Sequence, residues 1–181
     1  MRILLFLVLT FAAPNIALAD PCIDNIPSRL QAALRQRFTD ERLPVATDSA
    51  EENQLAAKKE GKCLLEARMD LDGDGRKDFV LLMPSAKHPK EYRLVVAFQR
   101  SNGWHLMTIE KDLGYEFATL AIDPAPPGLY VHTDAFAFVP SPREVERFHA
   151  KHSGFYLGIV EGAADAYFLN KGHWLHVHSI D

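Results

Sequence analysis

The stretch CLLEARMDLDGDGRKDFVLLM, residues 63–83, decides the fold, because it places an acidic segment between two apolar ones. The flanking segments Cys63–Met69 and Phe79–Met83 are short and apolar, which is typical of β-strands rather than helices. Between them, the segment from Asp70 to Asp78 is rich in aspartate and glycine. This pattern predicts a strand–loop–strand corner within a sheet.

The loop has the residue spacing of a site for a hard cation. Every second side chain is a carboxylate until a glycine allows a sharp turn, and Ca²⁺ takes six to eight oxygen ligands. Four like charges in one short loop repel each other by roughly 4 kcal/mol per pair at about 4 Å and an effective dielectric of 20. A bound cation removes that repulsion. The predicted ligands are four side chains and one backbone carbonyl: Asp70, Asp72, Asp74, Asp78 and, through its carbonyl, Arg76.

Alternatives to a strand-flanked calcium site are weaker. Leu81 stands at the loop position where an EF-hand requires a bidentate glutamate, so we expect no EF-hand. Mg²⁺ prefers fewer protein carboxylates and keeps several of its waters. A bare Asp-Gly turn remains an alternative, although such a turn does not require alternating aspartates.

The motif Asp-x-Asp-Gly-Asp-Gly-x-x-Asp resembles the calcium loop of FG-GAP-type repeats, and the resemblance covers Asp70 to Met83. It implies Ca²⁺ as the cofactor and the ligand set given above. FG-GAP loops lie in β-propeller blades, but this chain carries one copy of the motif and a propeller requires several. The loop and the C-terminal segment from Glu161 to Asp181 also resemble small secreted bacterial proteins of unknown function, a likeness that implies no activity.

The N-terminus has the pattern of a secretory signal peptide. Arg2 precedes the apolar run Ile3–Ala13, and Ala17–Ala19 forms a small-residue cleavage site. We therefore expect residues 1–19 to be a signal peptide and residues 20–181 to be a single domain, periplasmic or secreted. A retained membrane anchor is the alternative, but the apolar run is too short to cross a bilayer.

Two cysteines, Cys22 and Cys63, follow the predicted signal peptide. An even number of cysteines in an exported chain favours a disulfide. This one would close a loop of about 40 residues and contribute roughly 4 kcal/mol on the chain-entropy model. A metal-binding pair or two free thiols are the alternatives.

The remaining patterns predict an α+β fold. Apolar residues recur every four positions from Ile26 to Phe38, which predicts an N-terminal amphipathic helix over Asn25–Phe38. Further helices are expected at Ser49–Lys59 and Ser141–Phe148. Hairpin turns favour a mostly antiparallel sheet of about seven to nine short strands. The candidate strands are Cys63–Met69, Phe79–Met83, Tyr92–Gln99, Trp104–Glu110, Ala118–Ile122, Leu129–His132, Phe155–Val160, Asp165–Leu169 and Trp174–His178.

Histidines are the second group of candidate ligands. His149 and His152 lie three residues apart on the predicted continuation of the helix that begins at Ser141, and His173, His176 and His178 lie on or next to the last predicted strand. On a strand, His176 and His178 share one side with Trp174, an arrangement that suits two ligands of a zinc or copper site. They would instead form a solvated face if Leu175 and Val177 make the core side.

Composition and motifs favour a binding or structural role over catalysis. The net charge is −4 without a basic block, so we expect no nucleic-acid partner. The chain lacks G-x-S-x-G, H-E-x-x-H, P-loop and G-x-G-x-x-G motifs. Glu161 and Asp165 are candidates for an acid/base pair, but solvated surface residues are the favoured interpretation.

These observations lead to three hypotheses. The first is an exported, calcium-stabilised binding or structural module of the bacterial cell envelope, non-enzymatic and without a membrane span in its mature form. The second is a periplasmic inhibitor or immunity-type protein that blocks an envelope-acting enzyme. The third is a calcium-dependent hydrolase. An envelope protein is the expected partner in the first two.

Overall fold

The computed structural model describes residues 20–88, 90–111, 116–135 and 137–180, and the predicted signal peptide lies outside these ranges. The helices are α1 (Pro21–Asp24), α2 (Ser28–Arg37) and α3 (Glu51–Glu60). The strands are β1 (Glu66–Met69), β2 (Asp78–Pro84), β3 (Tyr92–Arg100), β4 (Gly103–Lys111), β5 (Leu120–Ala125), β6 (Gly128–Val131), β7 (Arg147–Ala150), β8 (Gly154–Ile159), β9 (Ala164–Asn170) and β10 (His173–Ile180).

The strands form two four-stranded sheets and a two-stranded ribbon, and every strand pair is antiparallel. The first sheet has the order β1-β2-β3-β4, the second has the order β10-β9-β8-β5, and the ribbon is β6-β7. The mostly antiparallel architecture is the predicted one. The predicted single sheet is replaced by two stacked sheets, because the central strands carry apolar side chains on both faces.

The first sheet is covered on both sides. On one face, Leu30 and Leu34 of α2 pack with Phe79, Leu81 and Val95 of the sheet. The other face packs against the second sheet, in the cluster with the largest number of buried side chains. That cluster includes Leu65, Val80, Leu82, Leu94, Val96, Phe98, Leu120, Ile122, Phe155, Leu157, Tyr167 and Trp174.

Strand β2 therefore has no solvated face. All seven of its residues, Asp78 to Pro84, are buried. Odd-numbered side chains such as Phe79 and Leu81 contact the helix side, while Val80 and Leu82 contact the second sheet. This double burial explains the continuous apolar sequence FVLLM, because alternation of apolar and polar residues is expected only when one face meets water.

The ribbon covers part of the outer face of the second sheet. Tyr130 of β6 and Phe148 of β7 pack against Phe168 and Val177. The predicted helix at Ser141–Phe148 is wrong, because its last part belongs to strand β7. Its earlier residues instead pair with β10: the Val145 N–H donates to the His176 carbonyl, and the His176 N–H donates to the Arg143 carbonyl.

The two sheets meet at Leu64 and Leu65. The Leu64 carbonyl accepts a hydrogen bond from Ile122 of the second sheet at 2.7 Å, and the Leu65 carbonyl accepts one from Leu82 of the first sheet at 2.9 Å. Successive carbonyls of an extended segment point in opposite directions, so one short segment serves both sheets. The neighbouring Cys63 forms a disulfide with Cys22, as predicted, and thereby ties α1 to this junction.

Removing the disulfide should destabilise the fold without changing it. For the double variant Cys22→Ala/Cys63→Ala we expect the free energy of unfolding to fall by roughly 3–4 kcal/mol, because the unfolded chain loses a cross-link across about 40 residues. Urea denaturation monitored by circular dichroism measures this difference. A loss below about 1 kcal/mol would show that the junction is held by its packing and hydrogen bonds alone.

Candidate metal site

The segment between β1 and β2 folds into a compact loop around Asp70. The N–H groups of Gly73 and Gly75 donate to the two carboxylate oxygens of Asp70 at 2.8 and 2.9 Å. Both glycines adopt positive φ angles, +77° and +82°, which favour residues without a Cβ. The glycines that the sequence placed at the turn therefore bring the backbone around the first carboxylate.

Asp78 is the most unusual carboxylate of the loop, because it is the first residue of the doubly buried strand β2. Its exposed fraction is 0 %. The N–H groups of Leu71 and Gln99 donate to its two oxygens at 3.0 and 2.9 Å. The pKa of Asp78 is raised to about 6, and burial of the carboxyl group is the largest cause. The two hydrogen bonds lower this pKa, whereas the negative charges of Asp72 and Asp74 raise it.

Three of the predicted ligands converge. Asp70, Asp72 and Asp78 each offer a carboxylate oxygen, and these oxygens lie within 4.8 Å of one another. This is the separation at which three oxygens can hold one metal ion, and carboxylates suit hard cations such as Ca²⁺, Mg²⁺ and Mn²⁺. Within the described part of the chain, no other group of acidic, histidine or cysteine side chains meets this criterion.

Asp74, the remaining predicted side-chain ligand, does not converge with the other three aspartates. Its carboxylate lies 3.2 Å from the Arg100 guanidinium and 3.5 Å from that of Arg76. Arg100 also contacts Asp72 at 2.7 Å, and its guanidinium lies over the ring of Phe98. An arginine from the end of β3 thus supplies part of the positive charge that the acidic loop requires.

Arg100 is a site residue that the sequence did not predict. Its place next to the loop depends on the pairing of β3 with β2, which aligns Phe79 with Ala97 and brings the end of β3 to the start of β2. The sequence of residues 100–103 is typical of a hairpin turn, and such a turn does not predict a contact with the acidic loop.

The loop also contacts the second half of the chain. The ring of His152, in the turn between β7 and β8, lies directly over Gly73, so that a methyl group at Gly73 would be 2.2 Å from the ring. The acidic loop is thereby in contact with β1, β2, β3 and the β7–β8 turn. It links elements that are far apart in sequence.

Three further histidines, His132, His176 and His178, lie in a separate polar cluster. His178 Nδ1 lies 2.6 Å from Asp165, and His176 Nδ1 lies 3.6 Å from the same carboxylate. His132 of the segment after β6 lies 3.5 Å from Glu144. The alternative of a solvated histidine face does not hold, because Trp174 on that side is buried between the sheets and both His176 and His178 are mostly covered.

His176 and His178 share one side of β10, as predicted, since both approach the Asp165 carboxylate, whereas Glu161 and Asp165 do not form the candidate acid/base pair. His173 is exposed at the start of β10, so it does not join the other two histidines. Asp165 pairs with histidines rather than with Glu161, which lies exposed in the turn between β8 and β9. His149 lies on β7 instead of a helix.

No protein-family model, curated protein or solved structure that we compared with this chain matches it. Among the residues that the structure describes, no helix combines the length and the apolar character that a membrane crossing requires.

The buried carboxyl of Asp78 predicts a pH dependence whose sign depends on the metal. Without a divalent cation, its pKa is about 6 in the fold against an ordinary value of 3.8. The folded state then holds the proton more tightly than the unfolded chain does. The stabilisation that this bound proton gives to the fold is fully present below about pH 4 and is lost as the pH rises through about 6.

The measurement is the difference in unfolding free energy between the wild type and Asp78→Asn, whose amide does not titrate. In chelator we expect the wild type to lose up to about 3 kcal/mol of unfolding free energy relative to Asp78→Asn between pH 4 and pH 7. In excess calcium the wild type should instead gain stability relative to the variant over the same interval, because a cation binds the ionised carboxylate. A difference that does not vary with pH in chelator would contradict the assignment.

The contact between Gly73 and His152 is tested by a matched pair of glycine variants. Gly73→Ala and Gly75→Ala both place a Cβ at a positive φ, which costs about 1–2 kcal/mol, but nothing lies within 4 Å of a Cβ at Gly75. We expect Gly73→Ala to cost about 0.5–1 kcal/mol more, because His152 must rotate away. Combining it with His152→Ala should remove that excess; additive costs in chelator would argue that the ring makes no energetic contact.

Proposed function

We propose that this chain is an exported, calcium-stabilised binding or structural module of the bacterial cell envelope, without enzymatic activity. The observation that carries the proposal is the position of Asp78. Its carboxylate is fully buried, yet it lies within 4.8 Å of the oxygens of Asp70 and Asp72. A buried carboxylate beside two others is costly unless a proton or a cation neutralises it.

Calcium is the cation that fits this site best. The converging donors are all carboxylate oxygens, which disfavours metals that prefer sulfur or imidazole. Mg²⁺ usually keeps several waters and takes one or two carboxylates, whereas Ca²⁺ accepts more of them in less regular geometry. The spacing of the FG-GAP-type loop supports the same choice. In our proposal Asp74 and the Arg76 carbonyl complete the set, so Asp74 has to leave Arg100 when the ion binds.

The position of the loop supports a stabilising role for the ion. Its residues hydrogen-bond to the ends of β2 and β3 through Leu71 and Gln99, and His152 brings in the β7–β8 turn. An ion at this position would hold several chain segments together. The Cys22–Cys63 disulfide supports an oxidising compartment, such as the periplasm or the cell exterior, where calcium is available.

The first test is the thermal stability of purified protein in calcium and in chelator. Calcium at 100 times its dissociation constant adds roughly 2.7 kcal/mol to the stability of a protein that binds it only when folded. In a domain of this size that corresponds to a rise in melting temperature of roughly 5–10 °C. Equal melting temperatures in calcium and chelator would refute the proposal.

Calorimetric titration of variants tests the ligands. We expect Asp72→Asn and Asp78→Asn to weaken calcium binding by at least about tenfold, because each loses a charged ligand. The matched control is Asp134→Asn, which removes the same charge from an exposed residue outside the loop. Asp74→Asn should also weaken binding about tenfold if Asp74 joins the ion; an unchanged affinity would limit the carboxylate ligands to the other three.

A further inference from the structure

A groove of about 590 Å³ lies between helix α3 and the second sheet. Its floor consists of small residues on three adjacent strands, Ala121 of β5, Gly158 of β8 and Ala164 of β9. Gly158 has no space for a side chain, because a Cβ there would lie 2.4 Å from the Cβ of Ala164. The small floor residues keep the groove open, and its volume is in the range of small-ligand and peptide sites.

Large apolar side chains converge on this groove while remaining in water. Leu55 of α3 is 63 % exposed, Ile159 of β8 is 42 % exposed, and Ile180 of β10 is 40 % exposed. These are half of the six large apolar side chains that are exposed in the described part of the chain. Single exposed apolar residues are ordinary, but three around one concave surface indicate an interaction site.

Polar contacts position helix α3 over the sheet. Asn53 is its one buried residue, and the Asn53 side chain donates to the carbonyls of Ala118 and Leu120 at 3.3 and 3.4 Å. The Ala50 N–H donates to the same Ala118 carbonyl at 2.7 Å. The helix is therefore positioned at the edge of the sheet while Leu55 stays 63 % exposed.

The charges around the groove are mostly negative. Four carboxylates line it, Glu52, Glu60, Asp123 and Glu161, together with one ammonium group, that of Lys59. Lys62 pairs with Glu60 at 2.7 Å and with Asp123 at 2.5 Å. Among the described residues, no ion pair neutralises Glu52 or Glu161. The groove thus combines an apolar interior with an acidic rim.

The apolar interior and the acidic rim together indicate which kind of partner the groove binds. A second copy of the chain placed groove to groove would bring two acidic rims together, and an anionic membrane surface would be repelled in the same way. A cationic partner would satisfy the rim and cover Leu55, Ile159 and Ile180. We propose that the groove binds a basic segment of a partner protein, in which large apolar side chains alternate with lysine or arginine.

The inference rests on the binding role of the proposed function but not on its calcium ion, since the groove and the Asp70–Asp78 loop share no residue. The calcium proposal and the groove proposal can therefore be refuted independently of each other. A melting temperature that is unaffected by chelator refutes the calcium proposal. Failure of the groove to bind its probe, in calcium and in chelator alike, refutes this one.

The probe is a fluorescein-labelled peptide of about ten residues in which leucine alternates with lysine. We expect saturable binding by fluorescence anisotropy, with binding at least about tenfold weaker for two matched peptides, one with glutamate for lysine and one with serine for leucine. Affinity for the first peptide should fall as salt is raised, because the rim charges are exposed. Equal binding of the three peptides would refute the inference.

Paired variants test whether the leucine–lysine peptide binds in the groove. Leu55→Ser should weaken the leucine–lysine peptide about tenfold, whereas Leu129→Ser, at a side chain of β6 that is 57 % exposed and outside the groove, should not. Glu52→Lys should weaken it several-fold, whereas Glu51→Lys, on the same turn of α3 but not lining the groove, should have a smaller effect. Thermal melting of each variant confirms that it is folded.

Amide chemical-shift changes on adding the peptide provide an independent map. They should concentrate on α3 and on residues 158–162 if the groove is the site. Binding that is equally strong in Leu55→Ser and Leu129→Ser, or shift changes on another surface, would overturn the inference.

Discussion

The burial of strand β2 on both faces is the constraint on which the rest of the structure depends. Helix α2 covers one face of the first sheet and the second sheet covers the other, so Phe79 and Val80 are both removed from water although they point in opposite directions. This burial fixes the order of the layers. It also removes water from the start of the strand, where Asp78 lies.

The acidic loop is chemically significant because of that burial. In bulk water, two carboxylates about 4 Å apart would repel each other by only about 1 kcal/mol, less than in the lower dielectric near a protein surface. Asp78, in contrast, is held by the N–H groups of Leu71 and Gln99 in surroundings that raise its pKa. Arg100 neutralises the exposed side of the loop through Asp72 and Asp74 but is not paired with Asp78. A cation between Asp70, Asp72 and Asp78 would supply the missing charge and strengthen the corner between β1 and β2 of the first sheet.

Much of the fold could be predicted, because its elements depend on local patterns. Each candidate strand coincides with an observed one to within a few residues, and the helix near Ser28 follows from an apolar residue at every fourth position. The segment Ser141–Phe148 was predicted wrongly because its serine–proline start suits a helix, whereas pairing with β10 and packing of Phe148 against Phe168 impose an extended chain. The convergence of Asp70, Asp72 and Asp78 follows from the glycine turns, but the partners of the loop do not.

The sequence by itself determined the antiparallel strands, the cysteine pair and the carboxylate spacing of the loop, since each depends on residue types at short range or on a count of two thiols. Only the tertiary structure decided that the strands divide into two stacked sheets, that Arg100 and His152 contact the loop, and that Leu55, Ile159 and Ile180 surround one groove. The reason is physical. These contacts join residues far apart in the chain, and their formation depends on which apolar faces bury each other when the layers assemble.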